Sequence, residues 1–234
     1  MQHQVMGYDR SATMFSPDGL LLQVEYAEKA VRKGSPSIGL NCADGIVIVA
    51  DKGKKDILIV PESADKIYEI DSHIITSAAG IVSDARILIN HIRLVAQQHR
   101  ITYDSPIDVE STIREISDIQ QQYTQHPGVR PFGVALIVTG IDSKKSKLYT
   151  SDITGNYYEY TSIAIGENDD QIKEMLRKEF KKEMKIDDGI ILCFKIFNKL
   201  LGDKFDGERF SVAYIKKDDI KITRLTKEEI KKFV

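Results

Sequence analysis

The sequence predicts a single α+β domain, a four-layer αββα sandwich in which two antiparallel sheets lie between helix pairs. The predicted elements run in the order helix, strands, two helices, strands, two helices, strands. Tight turns join most neighbouring strands, which favours antiparallel pairing, and paired helices fit the outer layers of a sandwich. No Pro/Gly/Ser-rich linker or internal repeat divides the 234 residues, so we expect one domain over 1–234.

The first element is predicted to be an amphipathic helix behind a tight turn. Residues 1–15 are polar and aperiodic, which is typical of an arm. Residues 16–19 (SPDG) contain Pro, Asp and Gly, three residue types that favour a turn. Apolar residues then recur at helical spacing, at Leu20, Val24, Ala27 and Val31. We expect this helix to end at Gly34, since glycine is a common C-terminal stop.

The remaining elements follow from short apolar runs and helical spacing. Strands are expected over 37–42, 46–50, 67–70, 74–78, 134–140, 147–150, 157–159, 162–165, 210–215 and 220–223. Helices are expected over 81–95, 108–125, 172–180 and 190–201, with a short charged helix starting at Thr226. The Asp44-Gly45 step marks a hairpin, and the apolar run 46–49 predicts a strand buried on both faces.

Composition argues against several classes of function. The formal charge of −2 does not favour a nucleic-acid binder, which usually carries a basic stripe. No apolar run reaches the length of a membrane span, and the first residues lack a signal-peptide pattern. Cys42 and Cys193 lie among apolar neighbours, so we expect both to be buried core residues rather than a disulfide or a nucleophile. A reducing, cytoplasmic setting is the expectation.

The usual signatures of catalysis and metal binding are missing. The sequence contains no phosphate-binding glycine loop, no Cys-x-x-Cys or His-x-x-x-His pair and no Gly-x-Ser-x-Gly motif. His91 and His99 share a predicted helix, but eight residues place them about 12 Å apart along its axis. We therefore expect no metal site and no cofactor, and histidines that are exposed or partly buried without catalytic duty. Runs of mixed charge are interpreted as solvated surface.

Residues 8–27 (YDRSATMFSPDGLLLQVEYA) resemble the N-terminal signature of proteasome α-type subunits of the archaeal kind. The resemblance continues through residues 33–35, 50–52, 65–67, 80–86, 121–125 and 130–133, and so covers almost the whole chain. The fold that it implies is the αββα sandwich of the N-terminal-nucleophile hydrolases. This fold agrees with the order of elements derived above.

The same resemblance implies a chain that is not catalytic by itself. In the β type of this family, a released N-terminal Thr is the nucleophile, and its own amine serves as the base. The corresponding position here is Ser35, followed by Pro36, and a patterned helix precedes it. Asp51 resembles the catalytic carboxylate and Lys66 lies close to the catalytic lysine. Without the released nucleophile, these two residues make no peptidase, so no catalytic residue is expected.

The family's α type gates access to a threonine-type endopeptidase, and this implies three groups of residues. The gate would consist of a gating arm (1–12) and the turn and first helix (13–34), ahead of an αββα core (35–234). Its residues are Tyr8, Asp9, Arg10, Pro17 and Tyr26. A pocket for the C-terminal tails of regulatory ATPases would contain Gly34, Lys66 and Ile81, and Lys66 would pair with the tail carboxylate.

The third group is the pore constriction, which would contain His126, Pro127, Gly128 and Val129. This loop departs from the family pattern, since archaeal relatives commonly carry an aromatic residue followed by two glycines there. Glu28 also stands where relatives are often basic. Both departures affect the charge or the width of the entrance.

The implied partners are other α subunits in a heptameric ring, β subunits, an AAA ATPase and unfolded protein substrates in transit. Two alternatives remain open from the sequence. One is an active β-type or other N-terminal-nucleophile hydrolase, whose mature chain would begin at Ser35 or Ser37. The other is a stand-alone binding module of the same fold, which would have the native mass of one 26.4 kDa chain.

Overall fold

The computed structural model describes residues 7–53 and 58–233 of the chain. The strands are β1 (Ser37–Asn41), β2 (Gly45–Asp51), β3 (Ile67–Asp71), β4 (Ile74–Gly80), β5 (Val134–Asp142), β6 (Lys145–Ser151), β7 (Tyr157–Glu159), β8 (Ser162–Ile165), β9 (Phe210–Lys216) and β10 (Ile222–Arg224). The helices are α1 (Leu22–Lys33), α2 (Val82–Tyr103), α3 (Val109–Gln125), α4 (Asp169–Glu179), α5 (Ile186–Leu201) and α6 (Lys227–Ile230). Short 3-10 turns span Pro61–Ala64, Gly202–Lys204 and Gly207–Arg209.

Two five-stranded antiparallel sheets form the centre of the molecule. Their strand orders are β10-β9-β2-β1-β8 and β3-β4-β5-β6-β7. The second sheet follows the chain order, whereas the first brings β9 from near the C-terminus to the side of β2, with Ile48 opposite Ala213. Helices α4 and α5 pack against the first sheet, and α2 and α3 against the second. The predicted four-layer α+β fold is confirmed.

Three apolar clusters fill the three interfaces between the layers. Strand β2 shows how the sequence produces this arrangement. Its residues Val47 and Val49 pack toward α5, while Ile46 and Ile48 point into the space between the sheets, and all are fully buried. Successive side chains of a strand face opposite sides, so an unbroken apolar run belongs to a strand covered on both faces. The prediction of a doubly buried strand is confirmed.

The start of the chain corrects two details of the prediction. The turn at 16–19 forms as expected, with the Gly19 N–H bonded to the Ser16 carbonyl oxygen at 2.8 Å and a φ of 76° at Gly19. Helix α1, however, begins at Leu22. Leu20 therefore precedes the helix and is 43% exposed, whereas Leu22 is buried. The predicted apolar face is wrong at Leu20, because that residue still belongs to the turn.

Three further element boundaries differ from the prediction for local reasons. Helix α5 begins at Ile186 instead of 190 and continues through Gly189, because that glycine packs against Cys42, where an added Cβ would lie 3.0 Å from the sulfur. Helix α4 begins at Asp169, three residues earlier than predicted. Strand β10 begins at Ile222 because Ile220 has a φ of 43° and belongs to the turn before it.

Cys42 and Cys193 are free thiols in the core, as predicted. Burial raises the pKa of Cys42 to about 12 and raises that of Cys193 as well. The expectation for the histidines is wrong at His73, which is only 6% exposed. Its ring nitrogen Nε2 lies 2.8 Å from the carbonyl oxygen of Ile107, which provides the polar contact that a buried ring requires.

The described residues contain neither a membrane-spanning helix nor a cluster of metal ligands. Over 7–53 and 58–233, no helix is long and apolar enough to cross a membrane. In the same ranges, no group of three or more His, Cys, Asp or Glu side chains is placed to hold a metal ion.

Candidate functional site

The centre of the candidate site is the contact between Lys66 and Ser35. Lys66 directly precedes β3, and its ammonium group reaches the segment between α1 and β1. Its Nζ donates to the Ser35 carbonyl oxygen at 2.6 Å and to the Ser35 Oγ at 2.8 Å. An ammonium group has three N–H donors, so within residues 7–53 and 58–233 these two contacts leave one donor for a further acceptor.

The environment of Lys66 disfavours the charged form of its amine. The side chain is only 9% exposed. Burial lowers the pKa of Lys66 to about 8, although the nearby Asp51 carboxylate acts in the opposite direction. At neutral pH, the amine is therefore still charged, inside a site that disfavours charge. Such a group is a common feature of functional sites.

Asp51, at the end of β2, is held by an arginine that the sequence analysis missed. The Arg209 Nε and Nη2 donate to the two carboxylate oxygens at 2.8 and 2.7 Å. The Gly53 N–H also donates to this carboxylate, at 2.8 Å. Asp51 is 1% exposed, so the pair is largely desolvated. No local sequence signal links these residues, since 158 positions separate them.

Three glycines allow α1, β4 and β5 to approach one another closely next to Lys66. A Cβ on Gly34 would lie 2.2 Å from the Gly80 nitrogen, and a Cβ on Gly80 would lie 2.2 Å from the Gly133 oxygen. Gly34 has an extended φ of −71°. Gly34 therefore follows the helix as predicted. Its conformation is open to any residue, so the reason for a glycine here is the close contact with the Gly80 backbone and not a left-handed helix cap.

The three residues predicted for the tail pocket lie together. Gly34 is bonded to Ser35, the partner of Lys66, and packs on Gly80, the neighbour of Ile81. Ile81 donates its N–H to the Gly133 oxygen at 2.9 Å, and its side chain is 37% exposed. The site thus combines a buried ammonium group, an exposed apolar side chain and closely packed backbone at one end of the sheets.

The loop predicted as the pore constriction begins where α3 ends. His126, Pro127, Gly128 and Val129 are all exposed. Gly128 has a φ of 87°, a conformation that favours glycine. The His126 Nδ1 lies 2.8 Å from the Gln122 carbonyl oxygen. The loop is therefore a projecting turn that is fixed at its first residue.

An ion pair fixes the other end of this loop. The Arg130 Nη1 and Nη2 donate to the two oxygens of Asp84 at 2.6 and 2.8 Å, and the Gly133 N–H donates to the same carboxylate at 2.9 Å. Burial would raise the pKa of Asp84, but these donors hold it below its usual value. Asp84 lies in the first turn of α2, so the loop is connected to the helix that begins beside Ile81. No local sequence pattern indicates this ion pair, because Asp84 and Arg130 are 46 positions apart.

The described part of the arm returns toward α1. Residues 7–10 form a turn in which the Arg10 N–H bonds to the Gly7 oxygen at 3.2 Å. The side chain of Gln23, in the first turn of α1, donates to the Asp9 carbonyl oxygen. Tyr8 is half-buried and Arg10 is exposed. Residues 1–6 of the predicted gating arm lie outside the described residues.

The two other predicted gate residues lie on the turn and on α1. Pro17 is exposed at the tip of the 16–19 turn. Tyr26 is half-buried on α1, where the Lys29 ammonium lies 5.3 Å from the centre of its ring.

Comparison with known proteins identifies the family. The family model described as "Proteasome subunit" matches residues 31–215. A second model, which describes the N-terminal signature of the A type of proteasome subunits, matches residues 8–30.

Proteasome α subunits of several archaea resemble the chain over nearly its full length. The one from Archaeoglobus fulgidus is 42% identical over 229 residues, which cover 98% of this chain and 93% of that protein. Those from Pyrococcus abyssi and Methanocaldococcus jannaschii are each 41% identical, over 97% of this chain and 87% of their own length. The chain therefore belongs to the proteasome subunit family and, within it, to the α type found in archaea.

Proposed function

We propose that the chain is a non-catalytic ring subunit of the proteasome core particle that controls the entry of substrates and receives the tails of a regulatory ATPase. The observation that carries the proposal is the position of α1. Val31 is buried against the cluster between the two sheets, and Val24 and Ala27 pack on it as well. A helix integrated in this way is part of the fold, and only Gly34 separates it from Ser35.

The surroundings of Ser35 support the absence of catalysis. A hydrolase of this superfamily needs a free α-amine on its nucleophilic residue. With α1 retained, the Ser35 nitrogen is an amide, and its Oγ accepts a bond from Lys66. Asp51 is already engaged by Arg209. Intact mass tests the alternative hydrolase, because a mature chain that begins at Ser35 or Ser37 would contradict the proposal.

Exposed apolar surface supports assembly with further subunits. On α2, Ile87, Leu94 and Ile101 are spaced by seven residues, so they lie on one side of the helix. They are 56, 57 and 84% exposed. Three exposed apolar side chains on one side of a helix support a contact with a further subunit, and we assign this contact to a β subunit.

A second exposed apolar group surrounds the turn before α1, where Met14, Phe15 and Leu20 are 47, 64 and 43% exposed. We assign this group to contacts between α subunits in a ring of seven. Native mass of the assembled chain tests this part, and a 26.4 kDa monomer under all conditions would contradict it.

In the proposed ring, Lys66 is the group that recognises an activator. Its remaining N–H donor would bind the terminal carboxylate of an ATPase tail, and such charge-assisted bonds are about twice as strong as neutral ones. Gly34 and Ile81 would line the same pocket. We propose further that residues 1–12 obstruct the axis, and that Tyr8, Asp9 and Arg10 hold the arm aside against Pro17 and Tyr26 of a neighbour. We also propose that the assembled particle acts in the cytoplasm, as expected from the sequence.

Two variants of the arm test the gate in opposite directions. Deletion of residues 2–12 should increase the degradation of an unfolded protein substrate without any ATPase, because the obstruction is removed. Tyr8→Gly should keep basal degradation low and reduce activation, because the open state loses its clamp. Hydrolysis of a very small peptide should change less in both variants. If the deletion leaves protein degradation at its basal level, the arm is not the barrier, and the loop 126–129 becomes the better candidate.

A further inference from the structure

One residue, Gly133, joins the proposed tail pocket to the loop at 126–129. Gly133 lies directly before β5. Its carbonyl oxygen accepts a hydrogen bond from the Ile81 N–H at 2.9 Å, and its own N–H donates to the Asp84 carboxylate at 2.9 Å. Ile81 belongs to the proposed pocket, and Asp84 binds Arg130 at the end of the loop. The wall of the pocket and the anchor of the loop therefore meet at a single residue.

The packing around Gly133 is too close to absorb a displacement. A Cβ on Gly133 would lie 2.7 Å from the Ile81 Cδ1, and a Cβ on Gly80 would lie 2.2 Å from the Gly133 oxygen. Closely packed protein interiors are barely compressible and transmit strain. A ligand that presses on the exposed side chain of Ile81 and moves its backbone would therefore also move Gly133.

The ion pair between Asp84 and Arg130 extends this connection to the loop. The two Arg130 Nη atoms each donate to one oxygen of Asp84, at 2.6 and 2.8 Å. Such a two-point contact fixes the relative orientation of the two groups as well as their distance. Ile81 is the N-cap residue of α2, and Asp84 lies in its first turn. A rotation of this first turn would therefore carry Arg130 with it.

The base of the loop is held together, so the loop can move as a unit. The rings of Tyr123, near the end of α3, and Phe132 lie 4.5 Å apart. The His126 Nδ1 lies 2.8 Å from a carbonyl oxygen in the last turn of α3. Residues 126–129 are exposed between these two contacts. A displacement that enters the loop at Arg130 would therefore reach the exposed residues.

We infer that Asp84 and Arg130 are positioning residues that couple the tail pocket to the loop at 126–129, so that a peptide carboxylate bound at Lys66 moves the loop of the same subunit. The inference deepens the proposed function and rests on it. It gives an activator a second route to the entrance, besides the arm. Coupling between two sites is reciprocal, so the work of moving the loop weakens the binding of the peptide by the same factor.

A fluorescent label on the loop tests the coupling in the assembled particle. An environment-sensitive dye on Val129→Cys is selective, because both native thiols are buried. A synthetic peptide that ends in an ATPase C-terminus with its carboxylate (the tail peptide) should shift the emission, and its amidated form should not. Arg130→Ala should abolish the shift while the tail peptide is bound. The same dye on Ile191→Cys, a position that is 50% exposed on α5, should not respond in any variant.

The affinity of the unlabelled particle separates coupling from a purely structural role. Arg130→Ala should lower the Kd of the tail peptide at least about fivefold, the lower end of typical coupling, because the pocket no longer has to move the loop. A purely structural role predicts weaker binding, because the wall of the pocket would be distorted. Arg130→Lys keeps the charge but loses the two-point contact, so its loop response should lie between those of the wild type and Arg130→Ala.

The matched control is Arg100→Ala, which breaks an ion pair with the buried Asp71 at the other end of α2. It should leave the Kd and the loop response unchanged. An unchanged or higher Kd in Arg130→Ala would overturn the inference. If the tail peptide binds the wild-type particle and the Val129 label does not respond, the coupling fails and the proposed function stands. If the wild-type particle does not bind the tail peptide at all, the proposed function itself fails.

Discussion

Replacement of Lys66 by methionine tests whether the charge of this residue serves the binding of a tail peptide or the stability of the fold. The pKa of this amine falls from its ordinary value of 10.5 to about 8 because of burial. At 1.36 kcal/mol per pKa unit, the folded state disfavours the charged form by about 3 kcal/mol. Methionine removes this cost but also removes the two hydrogen bonds to Ser35, which contribute about 1 kcal/mol each. The two effects nearly offset each other, so Lys66→Met should lie within about 2 kcal/mol of the wild type at pH 7.

The same shift predicts how the difference depends on pH. Below pH 8, Lys66 is protonated in the folded and the unfolded chain, and the full cost of the buried charge is present. Between pH 8 and 10.5, the unfolded chain binds more protons at this residue, so the free energy of unfolding of the wild type rises with pH. Relative to Lys66→Met, the wild type should gain about 3 kcal/mol across this range. Every other titrating group is common to both proteins and cancels in the difference.

Urea unfolding at pH 7 and pH 10 measures stability, and fluorescence anisotropy with a labelled tail peptide measures binding to the assembled particle. Lys66→Met should weaken binding at least tenfold, since a charge-assisted hydrogen bond contributes about 1.5–3 kcal/mol and 1.4 kcal/mol is a factor of ten. Wild-type binding should also decline above pH 8, whereas Lys66→Arg should retain it. A peptide with an amidated C-terminus is the matched ligand control.

Two results would refute this reasoning about Lys66. A loss of more than about 3 kcal/mol in Lys66→Met at pH 7 would mean that the ammonium group holds the fold together. Unchanged affinity for the carboxylate peptide in the same variant would mean that Lys66 does not contact the tail.

Three further substitutions test the surroundings of the site. Arg209→Ala should destabilise the chain by about 3–5 kcal/mol, because Asp51 would remain buried without its partner; a loss below 1 kcal/mol in urea unfolding would show that water replaces the arginine. Gly34→Ala should lower the melting temperature, because the added Cβ would lie 2.2 Å from the Gly80 nitrogen and such overpacking costs about 1–3 kcal/mol. An unchanged melting temperature would contradict the close contact. Arg130→Ala should destabilise the chain by about 1–3 kcal/mol, because the buried Asp84 carboxylate would keep only the Gly133 N–H as a donor. It should also free the 126–131 loop from Asp84 and change the rate at which unfolded protein substrates enter; equal rates in both proteins would separate the loop from gating.

Local patterns in the sequence were sufficient for most of the secondary structure. Helical spacing identified α2 and α3, and the apolar run 46–49 identified β2 together with the burial of both its faces. The Asp44-Gly45 step placed the first hairpin, which the structure contains between β1 and β2. These features depend on neighbours two to four residues apart, so the sequence carries them directly.

The candidate site was only partly accessible from the sequence. Resemblance to the family selected Lys66, Gly34 and Ile81, and the structure brings these three residues together. The resemblance gave no partner for Asp51, because Arg209 reaches that carboxylate only after β9 pairs with β2. It also missed the Asp84–Arg130 pair, in which residues 46 positions apart meet.

The sequence by itself determined most of the secondary-structure elements and the family. It also determined which residues form the first helix and the loop at 126–129. The tertiary structure alone decided which charges are paired, which lysine is buried and why Gly34 must be a glycine. The physical reason is that periodicity specifies which face of an element is apolar, whereas desolvation and close backbone contact depend on the order in which the strands assemble. The β10-β9-β2-β1-β8 order joins distant parts of the chain, and the electrostatics of the site follow from that order.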